Sequence, residues 1–314
     1  MLQRYLPAIF LIVLASCQSN PKSYEPPLLR KLSKEEVLER ARQKRSFSPY
    51  VVFKDSMGLP LSDEYKDKLD KGQLAYDYYA DANDEVVELV VRVPTYEDDL
   101  LEVQQRTMLA GLRSWEQVEP KPVDCRVKKR VLQMIYKREK EMQKVRDTFD
   151  LERFMRGYSR VSLPGEERFR FIDSLFIENK QLVLGLLEKC GVPNKKEVGD
   201  QGMMGLFYTI HHMHQPRLRI MYYPVIKECV EKGDLSPRCL AMIEDRMMRD
   251  FGKKQLYGSQ LMKKDTTDTW TLYPLRDPEK LNERRKAMGM KPIEKYLESL
   301  DVEYTLEGLG IEGG

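Results

Sequence analysis

The chain has 314 residues, a net charge of +3, 33% charged and 41% hydrophobic residues. So even a balance, 53 basic against 50 acidic side chains, argues against nucleic acid as the main partner, and the apolar content excludes a wholly disordered chain. The length suffices for one large domain or two ordinary ones.

Arg4 is followed by an apolar run from Leu6 to Ser16, which ends at Leu14-Ala15-Ser16-Cys17. A basic start, a short apolar core and small residues before a cut read as a secretory signal, and the run is too short to span ~30 Å of hydrocarbon as a helix. The Leu-Ala-Ser-Cys order resembles the bacterial lipobox. That resemblance implies cleavage before Cys17, a diacylglyceryl thioether on its sulfur and an acyl chain, such as palmitate, on its new amine. Membrane lipid is then the partner of Cys17, since several acyl chains make a durable anchor where one holds only marginally. The alternative is a soluble secreted protein with an incidental cysteine at the cut. Gln18-Ser19-Asn20-Pro21-Lys22 carries no acid of the kind that resembles inner-membrane retention or surface-export signals. The expected place is therefore the cell envelope, at the periplasmic face of the outer membrane. Residues 18–29, with Ser, Asn and three Pro, read as a flexible tether.

The remainder is expected to be mainly α: a small α+β region over 30–122, a helical domain over 123–300, and a frayed tail over 301–314. Ser33-Lys34-Glu35-Glu36 has the form of a capping box and opens a charged helix to about Lys44. Tyr50 to Phe53 and Glu85 to Val93 read as strands, and a helix is expected from Tyr96 to Arg113. Beyond Pro122, Val131, Ile135, Met142, Val145 and Phe149 recur at helical spacing with Lys and Arg on the other faces, a solvated amphipathic helix or a membrane-surface element. Ser162-Leu163-Pro164-Gly165 breaks it. A long helix then ends near Cys190-Gly191, and others are expected over Leu206 to His212, Tyr222 to Glu231 and Pro237 to Asp250. Residues 251–278 read as loop, and a short helix closes the domain over Pro292 to Ser299.

Besides Cys17 the chain has Cys125, Cys190, Cys229 and Cys239. An even number in an oxidising compartment permits disulfides without assigning them. Gly233-Asp234 reads as a helix stop, and Ser236-Pro237 as an N-cap followed by proline at the first helical position. Two antiparallel helices would carry Cys229 and Cys239 to one hairpin tip, as a bridge or as two buried thiols.

All three histidines fall at His211, His212 and His214. His211 and His214 could share a helix face and, with Glu244 or Asp245, hold a metal, but no HExxH accompanies them, and a hydrogen-bonded histidine at a helix end is the plainer account. No metal site, nucleotide or redox cofactor is expected. Glu244-Asp245-Arg246 lies among Leu240, Ile243 and Met247, so three adjacent polar groups cannot all face solvent and one points inward or into a cleft. Gly252-Lys253-Lys254-Gln255-Leu256-Tyr257-Gly258-Ser259-Gln260 lacks the spacing of a phosphate-binding loop and offers uncharged hydrogen-bonding groups instead. Asn282-Glu283-Arg284-Arg285 could grip an anion or pair with surface acids.

Taken together, Gly199-Asp-Gln-Gly, the segment ending at His212, Glu244-Asp245-Arg246, the Gln255–Gln260 stretch, Asp277-Pro278 and Glu283-Arg284-Arg285 with Gly289 and Pro292 resemble the bacterial family called domain of unknown function 6624, over roughly residues 145–300. In that family the histidine stands in a Gln-His-x-Asp setting, where this chain has His211-His212-Met213-His214. The resemblance implies a fold unit and candidate residues, not a reaction. Two functions remain open. Either the polar groups fix the packing of a structural, partner-binding or ligand-binding module, or His212 and Asp245 act as a catalytic pair in a hydrolase-like cleft with Arg246, Gln255, Tyr257, Gln260 and Arg284 binding the ligand.

Overall fold

The computed structural model describes residues 24–45, 47–61, 68, 74–112, 114–142, 165–263, 270–300 and 302. The signal and lipobox over 1–17, the first half of the tether over 18–23, the tail from 303, Val145, Phe149 and the break at 162–164 lie outside the described residues. Two compact units divide the chain: one holds Met1–Ser33 and Ser46–Pro94, the other Lys34–Arg45 and Thr95–Gly314. The boundary expected at Pro122 therefore falls at Pro94, and the first helix belongs to the helical unit.

The first unit is a four-stranded sheet built from β1 (Arg30–Lys31), β2 (Val52–Lys54), β3 (Ala75–Ala80) and β4 (Val86–Arg92), in the order β1-β3-β4-β2. β3 and β4 form an antiparallel hairpin, whereas β2 runs parallel to β4. Asp81 closes the hairpin, its Oδ1 accepting the amides of Asn83 and Glu85 at 2.9 Å. As a central strand, β4 buries Leu89, Val90 and Val91 in succession, which explains its only partial alternation in sequence. β3 was not expected. Its Tyr-rich stretch, Tyr76-Asp77-Tyr78-Tyr79, is interrupted by an acid that ion-pairs with Arg92 of β4 at 2.8 Å.

In the second unit α1 (Lys34–Arg42) packs on α2 (Tyr96–Ala110), whose N-terminus is closed by a capping box in which the Thr95 amide donates to Asp98 at 2.7 Å. The bundle continues with α3 (Lys128–Met142), α4 (Gly165–Cys190), α5 (Lys195–His211), α6 (Pro216–Glu231) and α7 (Pro237–Asp250). A two-stranded hairpin, β5 (Leu261–Lys263) with β6 (Trp270–Leu272), interrupts the expected loop, and α8 (Leu281–Ala287) and α9 (Ile293–Glu298) close the unit. Leu132, Ile135, Val183, Leu186, Leu206, Phe207, Ile210, Ile226, Ile243 and Met247 are fully buried at its centre.

Two glycines set how closely this core packs. A Cβ at Gly205 of α5 would lie 2.2 Å from the Leu132 carbonyl of α3, and one at Gly185 of α4 would lie 1.8 Å from the Lys121 carbonyl. Any larger residue would push these backbones apart. The disulfide joins Cys125 to Cys190, tying the start of α3 to the end of α4. The pairing of Cys229 with Cys239 is thereby corrected: both are free and buried. The turn between α6 and α7 forms as expected, with Gly233 at positive φ and Ser236 capping α7, but the thiols point into the apolar core, where Cys239 Sγ sits 4.0 Å from Met204 Sδ of α5.

Candidate functional site

The side chain of Asp245 is fully buried, yet both of its oxygens are occupied. Oδ1 accepts the backbone amides of Leu256 at 2.9 Å and Tyr257 at 3.0 Å, and Oδ2 accepts that of Ser259 at 2.8 Å. Burial drives its pKa upward against the pull of these amides. Gln255, also fully buried, completes the loop: Nε2 donates to the carbonyls of Gln260 (3.0 Å) and Tyr273 (2.7 Å), and Oε1 accepts the Gln260 amide at 2.9 Å. Arg284 of α8 grips the same loop from outside, donating to the carbonyls of Leu256, Arg276 and Asp277 at 2.8–3.0 Å. Arg285, whose part the sequence did not single out, donates to the Tyr257 carbonyl at 2.6 Å and to that of Lys291 at 2.7 Å. Arg246 Nη1 reaches Gln260 Oε1 at 3.2 Å.

Asp245, Arg246, Gln255, Tyr257, Gln260 and Arg284 are thus brought together, but chiefly by bonds that hold a loop to the end of α7. Backbone groups absorb most of the hydrogen-bonding capacity of Asp245, Gln255 and Arg284, so little of it remains for a substrate.

His212 does not join them. Its Nδ1 lies 2.8 Å from Glu139 Oε2 of α3, and the other oxygen of Glu139 accepts from Asn179 of α4 at 3.1 Å. Glu139 is 1% exposed while the His212 side chain is 27% exposed, so a buried carboxylate orients an imidazole whose opposite edge is reachable. The Tyr208 ring stacks on His212 at 5.7 Å, and Tyr136 stacks on Tyr208 at 6.2 Å. The catalytic pairing of His212 with Asp245 is therefore corrected: the acid at hand is Glu139. Glu139 could not be found by spacing, because it lies 73 positions away in a helix read only for its apolar stripe.

His211 is buried against Phe207, and burial together with the charges of His212 and Arg219 holds its pKa well below the usual value. Arg219, equally buried, braces this turn through the carbonyls of His211 and Met213 and an ion pair with Asp250. Among the described residues, no group of three His, Cys, Asp or Glu side chains is placed to hold a metal.

One polar cluster escaped the sequence reading. Glu244 is 6% exposed, and its Oε1 accepts the Tyr223 hydroxyl of α6 at 2.7 Å. Burial raises its pKa to about 7, with the neighbouring Asp245 adding to the shift and Tyr223 opposing it. The Tyr96 hydroxyl, buried nearby, has no hydrogen-bond partner among the described residues, and the Tyr96 ring meets that of Tyr257 edge-on at 6.4 Å. Tyr223 also lines a groove of about 370 Å³ between α1, α2 and α6. The available signal was the adjacency of three polar residues on an apolar helix; it implied that one turns inward without saying which.

No curated protein and no solved structure matches the chain. The C-terminal region, over residues 177–308 and so including Asn179, His212, Glu244–Arg246 and the Asp245-held loop, matches the family of unknown function DUF6624.

Proposed function

We propose that the chain is a bacterial cell-envelope lipoprotein, held by an acylated Cys17 at the periplasmic face of the outer membrane, whose helical unit is a structural and ligand-binding or partner-binding module. The observation that carries the second half is Asp245: its two oxygens are taken by three backbone amides, so it serves as the staple of a loop rather than as an acid for substrate. Gln255 and Arg284 spend their donors in the same way. The lipobox supports the first half. Among the described residues no helix is long and apolar enough to cross a membrane, and in this reading attachment rests on Cys17.

Metabolic labelling with a radioactive lipid precursor tests the anchor. The wild-type chain takes up label and follows the membranes, and Cys17→Ser does neither; label retained by Cys17→Ser would overturn this half.

A second reading is favoured by the His212–Glu139 contact. A buried carboxylate that orients a reachable imidazole is suited to general acid/base hydrolysis. A hydrolase screen that finds an activity lost in both His212→Ala and Glu139→Gln would replace the binding module with this enzyme.

A further inference from the structure

The turn that follows β2 ends in an apolar tip, Met57-Gly58-Leu59-Pro60. Met57 is 69% and Leu59 61% exposed. The backbone donors of this tip are nevertheless all spent inside the turn. Asp55 Oδ1 accepts the amides of Met57 at 2.8 Å and Leu59 at 2.9 Å, the Asp55 carbonyl accepts that of Gly58 at 3.0 Å, and Pro60 has no N–H. Asp55 is the only charged side chain of residues 55–60, and its carboxylate faces these amides. The tip can therefore enter a less polar medium without stranding a backbone donor.

The start of the described chain is fixed to this same turn. The Tyr24 amide donates to the Ser56 carbonyl at 2.9 Å, its hydroxyl accepts from Lys54 Nζ at 3.0 Å, and its ring covers Gly58 so closely that a Cβ there would lie 2.6 Å from it. Cys17 precedes Tyr24 by seven positions and, whatever the course of residues 18–23, seven residues span at most about 25 Å. Because β2 runs parallel to β4, with Lys54 opposite Val90, the turn lies beside the C-terminal end of β4, and the β3–β4 hairpin with Asn83 lies at the opposite end of the sheet. The seven residues of β4 separate the two ends by about 23 Å. An anchor at Cys17 could lead to the hairpin end only with almost its whole length drawn back along the sheet, whereas the turn stands at its root. Phe53 and Val93 are exposed at the turn's end too, and the Phe53 ring meets that of Tyr76 edge-on at 5.9 Å.

We propose that the Met57–Pro60 tip docks on the phospholipid surface to which Cys17 anchors the chain, with Met57 and Leu59 at the boundary of headgroups and acyl chains and Phe53 and Tyr76 behind them at headgroup level. This proposal rests on the reading of the chain as a lipoprotein and adds the sheet unit as a second membrane contact. Two apolar side chains bind a membrane weakly by themselves; an anchor within about 25 Å holds them at a high effective concentration of lipid.

The test uses the full, lipidated chain reconstituted in vesicles of phosphatidylethanolamine and phosphatidylglycerol. Met57→Cys, Leu59→Cys and, at the far hairpin, Asn83→Cys are labelled with a polarity-sensitive fluorophore, and the unvaried chain, whose free Cys229 and Cys239 are buried, gives the background. All three positions are exposed, so none of these substitutions opens the core. Lipid bearing a nitroxide near the headgroup end of its acyl chain should quench the fluorophore at 57 and 59 about threefold or more over that at 83. Equal quenching at the three positions, or stronger quenching at 83, in chains that float with the vesicles and carry lipid on Cys17, overturns the docking and leaves the lipoprotein reading standing. A fluorophore at 57 and 59 that neither the lipid nitroxide nor aqueous iodide quenches also overturns it and assigns the tip to a protein contact. Absence of lipid on Cys17 overturns both readings.

Discussion

His212 Nδ1 stands 2.8 Å from Glu139 Oε2, joining the C-terminus of α5 to α3 across 73 residues of chain. With Asn179 on its second oxygen, Glu139 knits three helices through one buried carboxylate. Glu139→Ala would strand both partners and should cost about 1–3 kcal/mol. His212→Ala should cost less, because the imidazole is part-exposed and water can replace it at the carboxylate. Urea unfolding of the two variants measures the order, and a larger loss for His212→Ala would contradict this account.

Removing Asp245 acts on the loop rather than on the helix that carries it. Asp245→Ala leaves the amides of Leu256, Tyr257 and Ser259 without their acceptor, and should lower stability by about 3 kcal/mol or more. Hydrogen exchange at those three amides should accelerate ahead of the core of α7. Unchanged protection there would mean that the carboxylate does not hold the loop.

Glu244 makes stability depend on pH in a direction opposite to most carboxylates. Its pKa rises from 4.5 to about 7 on folding, so between these values the folded state keeps a proton that the unfolded state has lost. Its contribution is fully present below pH 4.5, falls as pH rises through the window to about 7, and is then gone; it amounts to something on the order of 3 kcal/mol. Chemical unfolding from pH 4 to 8 should show that decline in the wild type, and Glu244→Gln should lack that part of it.

The disulfide closes a loop between positions 65 apart, and chain entropy assigns it about 4 kcal/mol. Cys229 and Cys239 should resist alkylation in the native chain, because they are buried and burial pushes both thiols up to about 11. Denaturation without reductant should expose two reactive thiols, and adding reductant should release Cys125 and Cys190 as well. Alkylation of Cys125 or Cys190 in the unreduced chain would disprove the pairing.

Local pattern determined much of the architecture. The helical apolar spacing and the Gly233–Pro237 turn are properties of neighbouring residues, and the C-terminal ends of α4 to α7 fall within a residue or two of their expected places, although α5 begins at Lys195 rather than Leu206 and α6 at Pro216 rather than Tyr222. β3 and β5–β6 were harder to read, because short strands gain their stability from pairing with distant chain rather than from their own alternation. What each polar residue does was decided only in three dimensions. Asp245 and Glu244 are adjacent on one helix, yet roughly 100° of rotation turns one toward three loop amides and the other toward Tyr223. Likewise His212 took its acid from α3, and Cys190 took Cys125 in place of the nearer Cys229, because side chains meet across packed helices at distances that sequence separation does not encode.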